Sequence, residues 1–333
     1  NGAYASWGAT YPTVMMLPAT SLYRVANIRF DARLVYTNNT YSQAMRGYGN
    51  PELTWALESN MDELAEAAGI DPLDLRMVNC NQPGEITPMG LQVGTCGLKE
   101  CLETVAEKLE WRNRSRGESS RGEKPRERMP GEDRPTEGTP IEAKRRGRGM
   151  ASLFHVGGGG RIYRSDGSGL ILKLDDYGNV NAYHGGVEMG QGLHSVLSLA
   201  IAEALGVHPD KVHINPTDTG TCPWDVGTHA SRGAFMACHT AILAARRLRE
   251  ELFELAEDLS PAMVEQNLQK FIKQNPDYQA PDFDPRAAAR RERFDLRDGF
   301  VFIKDAPREP WLRVELGTLL RAIHFREQGR MLT

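Results

Sequence analysis

The chain has 333 residues, 40 Lys+Arg against 44 Asp+Glu for a formal net charge of -4, and 40% hydrophobic, 8% aromatic and 25% charged residues. This length suits two or three domains of ordinary size, and the composition excludes collagen-like, mucin-like and wholly disordered chains. The near balance of charge excludes attraction of nucleic acid or an anionic membrane by the overall field, and no apolar run approaches the roughly 18–20 residues of a membrane span.

From Val25 to Tyr36 apolar residues alternate roughly with polar ones, with Val25, Ile28, Phe30, Leu34 and Tyr36 as the apolar set, which predicts strands with one buried face. The run TNNTYSQAMRGYGNP breaks this period. Asn50-Pro51 then predicts a capped helix start, and Leu53, Leu57, Met61, Leu64, Ala65 and Ala68 recur at helical spacing until Gly69. A second helix is predicted over Gly97–Trp111.

Residues 112–149 hold twelve Lys/Arg, seven Asp/Glu and almost nothing apolar. Such a segment cannot offset its ordering entropy by burial, so a disordered, solvated insertion is expected, with docking of a partner or RNA as the less favoured alternative. Beyond it, SGLILKLDDYGNVNAYHGG predicts a hairpin turning at Asp175–Asn179, and VEMGQGLHSVLSLAIAEALG a glycine loop feeding a helix. KVHINPTD reads as a strand, TGTCPWDVGTHASRG as a long loop, Ala234–Leu259 as a long helix, Met263–Ile272 as a further helix, and GFVFIK as a strand.

The five cysteines are odd in number and scattered, which favours a reducing, cytoplasmic compartment over a disulfide framework. Cys96 and Cys101 lack the third cysteine of an iron–sulfur spacing, and the eight histidines form no zinc motif. The chain opens NGAYASWG without an initiator Met or a signal peptide, as though in the middle of a fold.

Three glycine-rich loops precede helices, where free backbone N–H groups receive anions: Ala44–Gly49, Glu188–His194 and Gly227–Gly233. None fits a P-loop or a dinucleotide fingerprint. Each has a purely geometric alternative: glycine accepts positive φ, Arg46 can pair with a carboxylate, and Gln191 can satisfy its own loop. Together they offer two arginines, an amide, a hydroxyl and many backbone donors, a set suited to a bulky cofactor with a phosphate tail.

The runs YSQAMRGYGNPELTWALESNMDELAEAAGIDPLDLRMVN, HGGVEMGQGLHSVLSLAIAEALGV and TDTGTCPWDVGTHASRGAF, in that order, resemble the molybdenum-binding subunit of the xanthine dehydrogenase and aldehyde oxidoreductase family. The resemblance implies an α+β fold, with 1–111 as part of a first molybdopterin-binding region, 112–149 as the charged insertion and 150–333 as a second region truncated before its C-terminus. By position, Arg46 with Gly47 matches the loop beside the metal and substrate. Gly190, Gln191 and Gly192 match the loop holding the pterin phosphate, and Ala230, Ser231 and Arg232 the loop approaching the metal and the cofactor tail. No protein side chain ligates the metal, because the pterin dithiolene holds it.

The implied cofactor is molybdopterin with molybdenum, as such or as its cytosine dinucleotide, with iron–sulfur clusters and FAD on partner subunits. The implied reaction oxidises an aldehyde or N-heterocycle with water-derived oxygen. Its alternatives are the ring dehydroxylation of a hydroxybenzoyl-CoA reductase-like large subunit and a non-catalytic interaction protein. The family's basic glutamate, in a C-terminal Gly-Glu motif, has no counterpart before Thr333. The chain is therefore expected to be a fragment or one part of a split subunit, inactive alone and completed by chains supplying the missing parts, with no membrane or nucleic-acid partner.

Overall fold

A computed structural model of the chain describes residues 2, 4, 6–41, 44–112, 148–155, 157–158, 166–305 and 309–325. Contacts divide it into two units, Asn1–Val156 and Gly157–Thr333. The charged segment predicted to be disordered lies almost wholly outside the described residues.

The first unit is helical. Helix α1 (Tyr11–Ser21) has Pro12 in its first turn and Pro18 inside it, and packs on α2 (Asn50–Ala68). α2 starts one residue earlier than a capping role for Asn50 implies. Gly49, at φ 85°, is the residue before the helix, while the Asn50 amide donates to Phe154 O and its oxygen accepts from Thr54 Oγ1 at 2.9 Å. Gly69, in the left-handed region, ends the helix. α3 (Pro72–Asn79) is capped by Asp71, whose carboxylate accepts from Leu73 N at 2.8 Å, and α4 (Leu98–Lys108) follows.

Two small apolar clusters hold these helices, one of Leu22, Tyr23 and Met61, the other of Leu73, Cys80, Leu102, Ala106, Trp111 and Met150. A buried polar knot supplements them. Glu58 accepts from Tyr23 OH at 2.6 Å, Arg76 Nε at 2.8 Å and Ser152 N at 2.9 Å, and Arg76 also pairs with Asp62 at 2.8 Å. Burial and Glu58 raise the Tyr23 hydroxyl well above its ordinary range.

The second unit carries two three-stranded sheets. In the first, β1 (Leu170–Leu174) and β2 (Val180–His184) form the predicted hairpin, and β3 (Val212–Ile214) pairs parallel to β2. Asp175 shapes the turn by accepting from the backbone of Tyr177 and Asn179, both at 2.9 Å. α5 (Leu193–Leu205) and α6 (Gly233–Gln274) pack against each other and on this sheet.

A single-turn helix, α7 (Pro285–Ala288), leads to the second sheet. There β4 (Phe294–Arg297), β5 (Phe300–Ile303) and β6 (Val314–Glu315) run antiparallel in that order, and α8 (Leu316–Phe325) closes the unit. One continuous core runs through both sheets. Gly206, which ends α5 at φ 92°, lets the backbone pass so close to Leu296 that an added Cβ would lie 1.9 Å from its carbonyl oxygen. Helices with separate small sheets make the α+β class expected from the sequence.

Two expected elements differ. Residues 25–36 form no ladder, and the chain bends at Ala26 and Asn27, since a strand needs a neighbouring edge and none of the described residues pairs with this one. The two helices expected over Ala234–Leu259 and Met263–Ile272 are one 42-residue helix that passes through Pro261. An internal proline costs ~3 kcal/mol. Here buried Ser260 and Val264, with Met263, Leu268 and Phe271 packed on the core, hold both sides of it in place. No helix among the described residues is long and apolar enough to cross a membrane.

Candidate functional site

In the first unit, Gly47, Tyr48 and Gly49 take positive φ values of 95°, 42° and 85° in succession, turning the chain into α2. A Cβ on Gly47 would meet the Pro51 ring at 2.5 Å, so glycine is required there twice over. Tyr48 pins the loop through its hydroxyl, which bonds Trp7 O and Thr10 Oγ1, and through its ring, edge-on to Tyr11 at 4.9 Å. The Tyr11 hydroxyl, donating to Glu52, is pushed up to about 12 by burial and by that carboxylate. Arg46 stands at the loop's exposed edge, its guanidinium without an ion pair or hydrogen bond to any described residue.

In the second unit, β2 runs out at His184 into Gly185 and Gly186, and the chain then forms the loop before α5. Glu188 dominates this loop. Its carboxylate accepts from Gly190 N at 2.7 Å, Gly192 N at 3.0 Å and His194 N at 3.0 Å. These bonds, first from His194 and Gly192, hold the carboxyl below its usual range. Gly190 and Gly192 have φ values of 94° and 84°, which aim successive N–H groups at one point, and nothing lies within 4 Å of where their Cβ atoms would be. The loop is thus an anion cradle, open on one side and filled by the chain's own carboxylate.

Gln191 is turned inward. Its Nε2 donates to Val187 O at 2.7 Å and its Oε1 accepts from Met189 N at 2.5 Å, so the amide fixes the loop's shape. The buried Nε2 of His194 has no hydrogen-bond partner among the described residues. Neither Glu188 nor His194 stood out in the sequence as more than loop members. Only the dense EMGQGLH spacing at a helix start marked them.

The loop from Asp225 to Arg232 is tied to the first by Val187 N, which donates to Thr228 Oγ1 at 2.9 Å. Ala230 and Ser231 both adopt left-handed backbone, at φ 48° and 53°, a strained pair of non-glycine residues that persists only where the surroundings impose it. Gly158 N grips this kink by donating to Ala230 O at 2.8 Å.

Arg232 was expected at the cofactor tail, but its side chain is buried, 2% exposed. Nε donates to Asp166, Nη1 to Asp225 Oδ1 at 2.9 Å and Gly227 O at 2.8 Å, and Nη2 to Gly167 O at 2.7 Å. Its donors bind the loop to its own unit, because the buried Asp225 carboxylate and the part-buried Asp166 carboxylate there demand a partner.

Behind the loops, His184 Nδ1 accepts from Gly186 N at 2.9 Å, which puts the ring proton on Nε2, 2.9 Å from Ser168 Oγ. Asp225 Oδ2 lies 3.8 Å from the same Nε2. Serine, histidine and aspartate meet here, but the imidazole points its proton at the serine and cannot act as its base, so these three residues do not form a hydrolase triad. Burial lowers the His184 pKa despite Asp225. Burial opposes ionisation of Asp225 too, but Ser168, Gly227 N–H and Arg232 together bring its carboxyl below the ordinary range.

The structure thus joins the Gln191 and Ser231 loops within the second unit and sets Arg46 and Gly47 in the first. Among the described residues no group of three or more His, Cys, Asp or Glu side chains could hold a metal ion.

Two family profiles, both described as molybdopterin cofactor-binding domain, match residues 1–80 and 122–306. The chain is 31% identical over 254 residues to the xanthine dehydrogenase molybdenum-binding subunit of Escherichia coli O157:H7, covering 75% of this chain and 31% of that one. It thus spans about a third of the length of the curated relatives it matches. Its fold is similar to part of quinoline 2-oxidoreductase from Pseudomonas putida, with a TM-score of 0.68 at 19% identity over 99% of this chain and 37% of the other. Aldehyde oxidoreductase from Desulfovibrio desulfuricans superposes with a TM-score of 0.57 at 28% identity, over 76% of this chain and 25% of that one. With profiles spanning both units, the chain belongs to the molybdopterin cofactor-binding domain family of xanthine dehydrogenase-type molybdenum-binding subunits.

Proposed function

We propose that the chain forms walls of the molybdopterin site of a molybdenum hydroxylase that oxidises an aldehyde or N-heterocycle, its two units acting as the first and second cofactor-binding regions. The observation that carries this is the convergence of the N–H groups of Gly190, Gly192 and His194 on the two oxygens of one carboxylate, Glu188, at the start of α5. The cofactor fits these residues: the cradle suits a phosphate, the flanking glycines leave its approach open, and the buried His194 Nε2 lacks a partner.

In this assignment Gly190 and Gly192 give backbone donors to the pterin phosphate, and Gln191 holds their geometry from within the loop. Glu188 is the group the phosphate must displace. Ala230 and Ser231 bring strained backbone to the cofactor, with Arg232 clamping the loop from behind. Arg46, beside Gly47, carries an uncommitted guanidinium toward substrate or metal. When bound, the cofactor supplies the two-electron redox chemistry that places a water-derived oxygen on carbon. Electrons then leave through partner subunits bearing iron–sulfur clusters and FAD. The cytosine dinucleotide form of the cofactor and a cytoplasmic location belong to the same proposal.

The test is the molybdenum and pterin content of the assembled molybdenum-binding subunit purified from a molybdopterin-producing host. Gly190→Val forces a β-branched residue to φ 94° while meeting no neighbouring atom. Loss of a charge-assisted hydrogen bond is worth about 1.5–3 kcal/mol, so pterin affinity should fall roughly ten- to a hundredfold. Undiminished pterin in a folded Gly190→Val subunit would remove this loop from the cofactor site.

A further inference from the structure

Between Arg24 and Thr37 Ala26, Ile28, Phe30, Ala32, Leu34 and Tyr36 share one parity, while the other carries Asn27, Arg29, Asp31 and Arg33, with Val25 and Val35 only at its two ends. That is the pattern of a strand with one buried face, uninterrupted by glycine or proline. The segment starts like a strand, with Arg24 N donating to Asn79 O at 2.8 Å beside the Tyr23–Cys80 bridge.

Beyond Arg24 the pairing stops. No backbone group from Val25 to Tyr36 takes part in a hydrogen bond with a described residue, and every residue of this stretch except Phe30 is exposed. Ile28, Leu34 and Tyr36 are 40%, 44% and 70% exposed. A long unpaired edge with an apolar face is a template for another strand, and folded proteins cover such edges.

We propose that residues 25–36 are a β-strand completed on assembly by a strand from the part of the molybdenum-binding subunit outside this chain's matched third, which covers the even-numbered face. Relatives carry more than twice this chain's matched length outside it, enough to supply a strand and an apolar layer. Arg29 and Arg33, flanking Asp31 on the polar face, favour carboxylates on the neighbouring strand over a second copy of the same segment. The inference rests on family membership and strand physics, and stands whether or not the Gly190 loop holds a phosphate.

Amide hydrogen exchange tests it. Peptides covering residues 24–37 are followed in the 333-residue chain alone and in the assembled subunit, in which the chain is continuous with, or co-expressed with, the remaining two thirds. Exchange there should slow by about a hundredfold or more on assembly, as expected of a paired strand against an open one. Ile28→Asp should cut assembly at least about tenfold by placing a charge in the covered face, whereas Asn27→Asp, adding the same charge on the other face, should change it less than about twofold.

Equal exchange in the two states, failure of the parts to assemble, or equal effects of the two substitutions would overturn the proposal. So would protection of 24–37 in the lone chain through self-association. Because Ile28 lies outside both apolar clusters, the Ile28→Asp chain alone should keep its thermal transition. A collapse of that transition would mean that the segment is already packed, against the proposal.

Discussion

Replacing Arg232 by Met separates a clamp from a ligand contact. The substitution keeps bulk but removes hydrogen bonds to Asp166, Asp225, Gly227 O and Gly167 O. It leaves Asp225, whose side chain is 3% exposed, with the Ser168 hydroxyl and Gly227 N–H as its remaining hydrogen-bond donors among the described residues. Breaking a buried ion pair by removing one partner costs about 3–5 kcal/mol. For a unit of this size that corresponds to a fall in melting temperature of about 6–20 °C.

The assay is calorimetry of the cofactor-free chain at pH 7 and at pH 4. A carboxylate held below its unfolded pKa contributes stability above roughly pH 3.9, and loses it as the pH falls through its lower folded value. Without Arg232, burial dominates at Asp225 and the carboxyl takes up its proton at higher pH. The deficit of Arg232→Met should therefore narrow between pH 7 and pH 4. A residue that served only to bind cofactor would leave the cofactor-free chain within about ±0.5 kcal/mol of its parent. An unchanged transition at pH 7 would refute the clamp.

In the first unit, Arg76→Met strands the buried Glu58 carboxylate and should cost about 3–5 kcal/mol in denaturant unfolding, where a loss under about 1 kcal/mol would show the knot to be dispensable. His184, its pKa lowered by burial, stabilises the fold above the unfolded imidazole value of about 6.5 and should lose that contribution as the pH falls below it. His184→Gln should flatten this slope in melting experiments between pH 7 and pH 5. Arg46→Ala should leave unfolding within about ±0.5 kcal/mol, since no described residue binds its side chain, while lowering turnover of the assembled subunit. Glu188→Ala empties the cradle, so melting of the variant should become sensitive to inorganic phosphate at constant ionic strength while the parent chain stays insensitive.

Local signals carried much of the fold. Pro51 and Gly69 bracket α2 because one suits a helix start and the other a left-handed stop, and Asp175–Asn179 makes its turn from its own side chains. Where structure depends on distant residues, those signals failed. Pro261 lies between what read as two helices because tertiary packing, invisible locally, carries one helix through it, and Val25–Tyr36 shows a strand's parity without its ladder.

At the site, glycine spacing located the loops and left the occupants open. That Glu188 fills the cradle is a matter of six residues and was within reach of the sequence. Arg232 turns inward because of Asp166, far away in the chain, and no spacing rule joins that pair.

Helix α6 begins at Gly233, directly after the clamped loop, and at 1.5 Å per residue its 42 residues extend about 63 Å. It packs on β1, β6 and α8, with Thr240 near its start bonding Ser168 O before β1 and Asn267 near its end bonding Arg313 O before β6, so one rod spans both sheets of the unit. The kinked backbone at Ala230 and Ser231 is thus mounted on a beam seated on two foundations, and tilting the beam by even a few degrees would carry the kink with it. Substitutions in the second sheet, at Phe294 or Val314 for example, would then register at the far end as misalignment of the loop, with every residue of that loop unchanged.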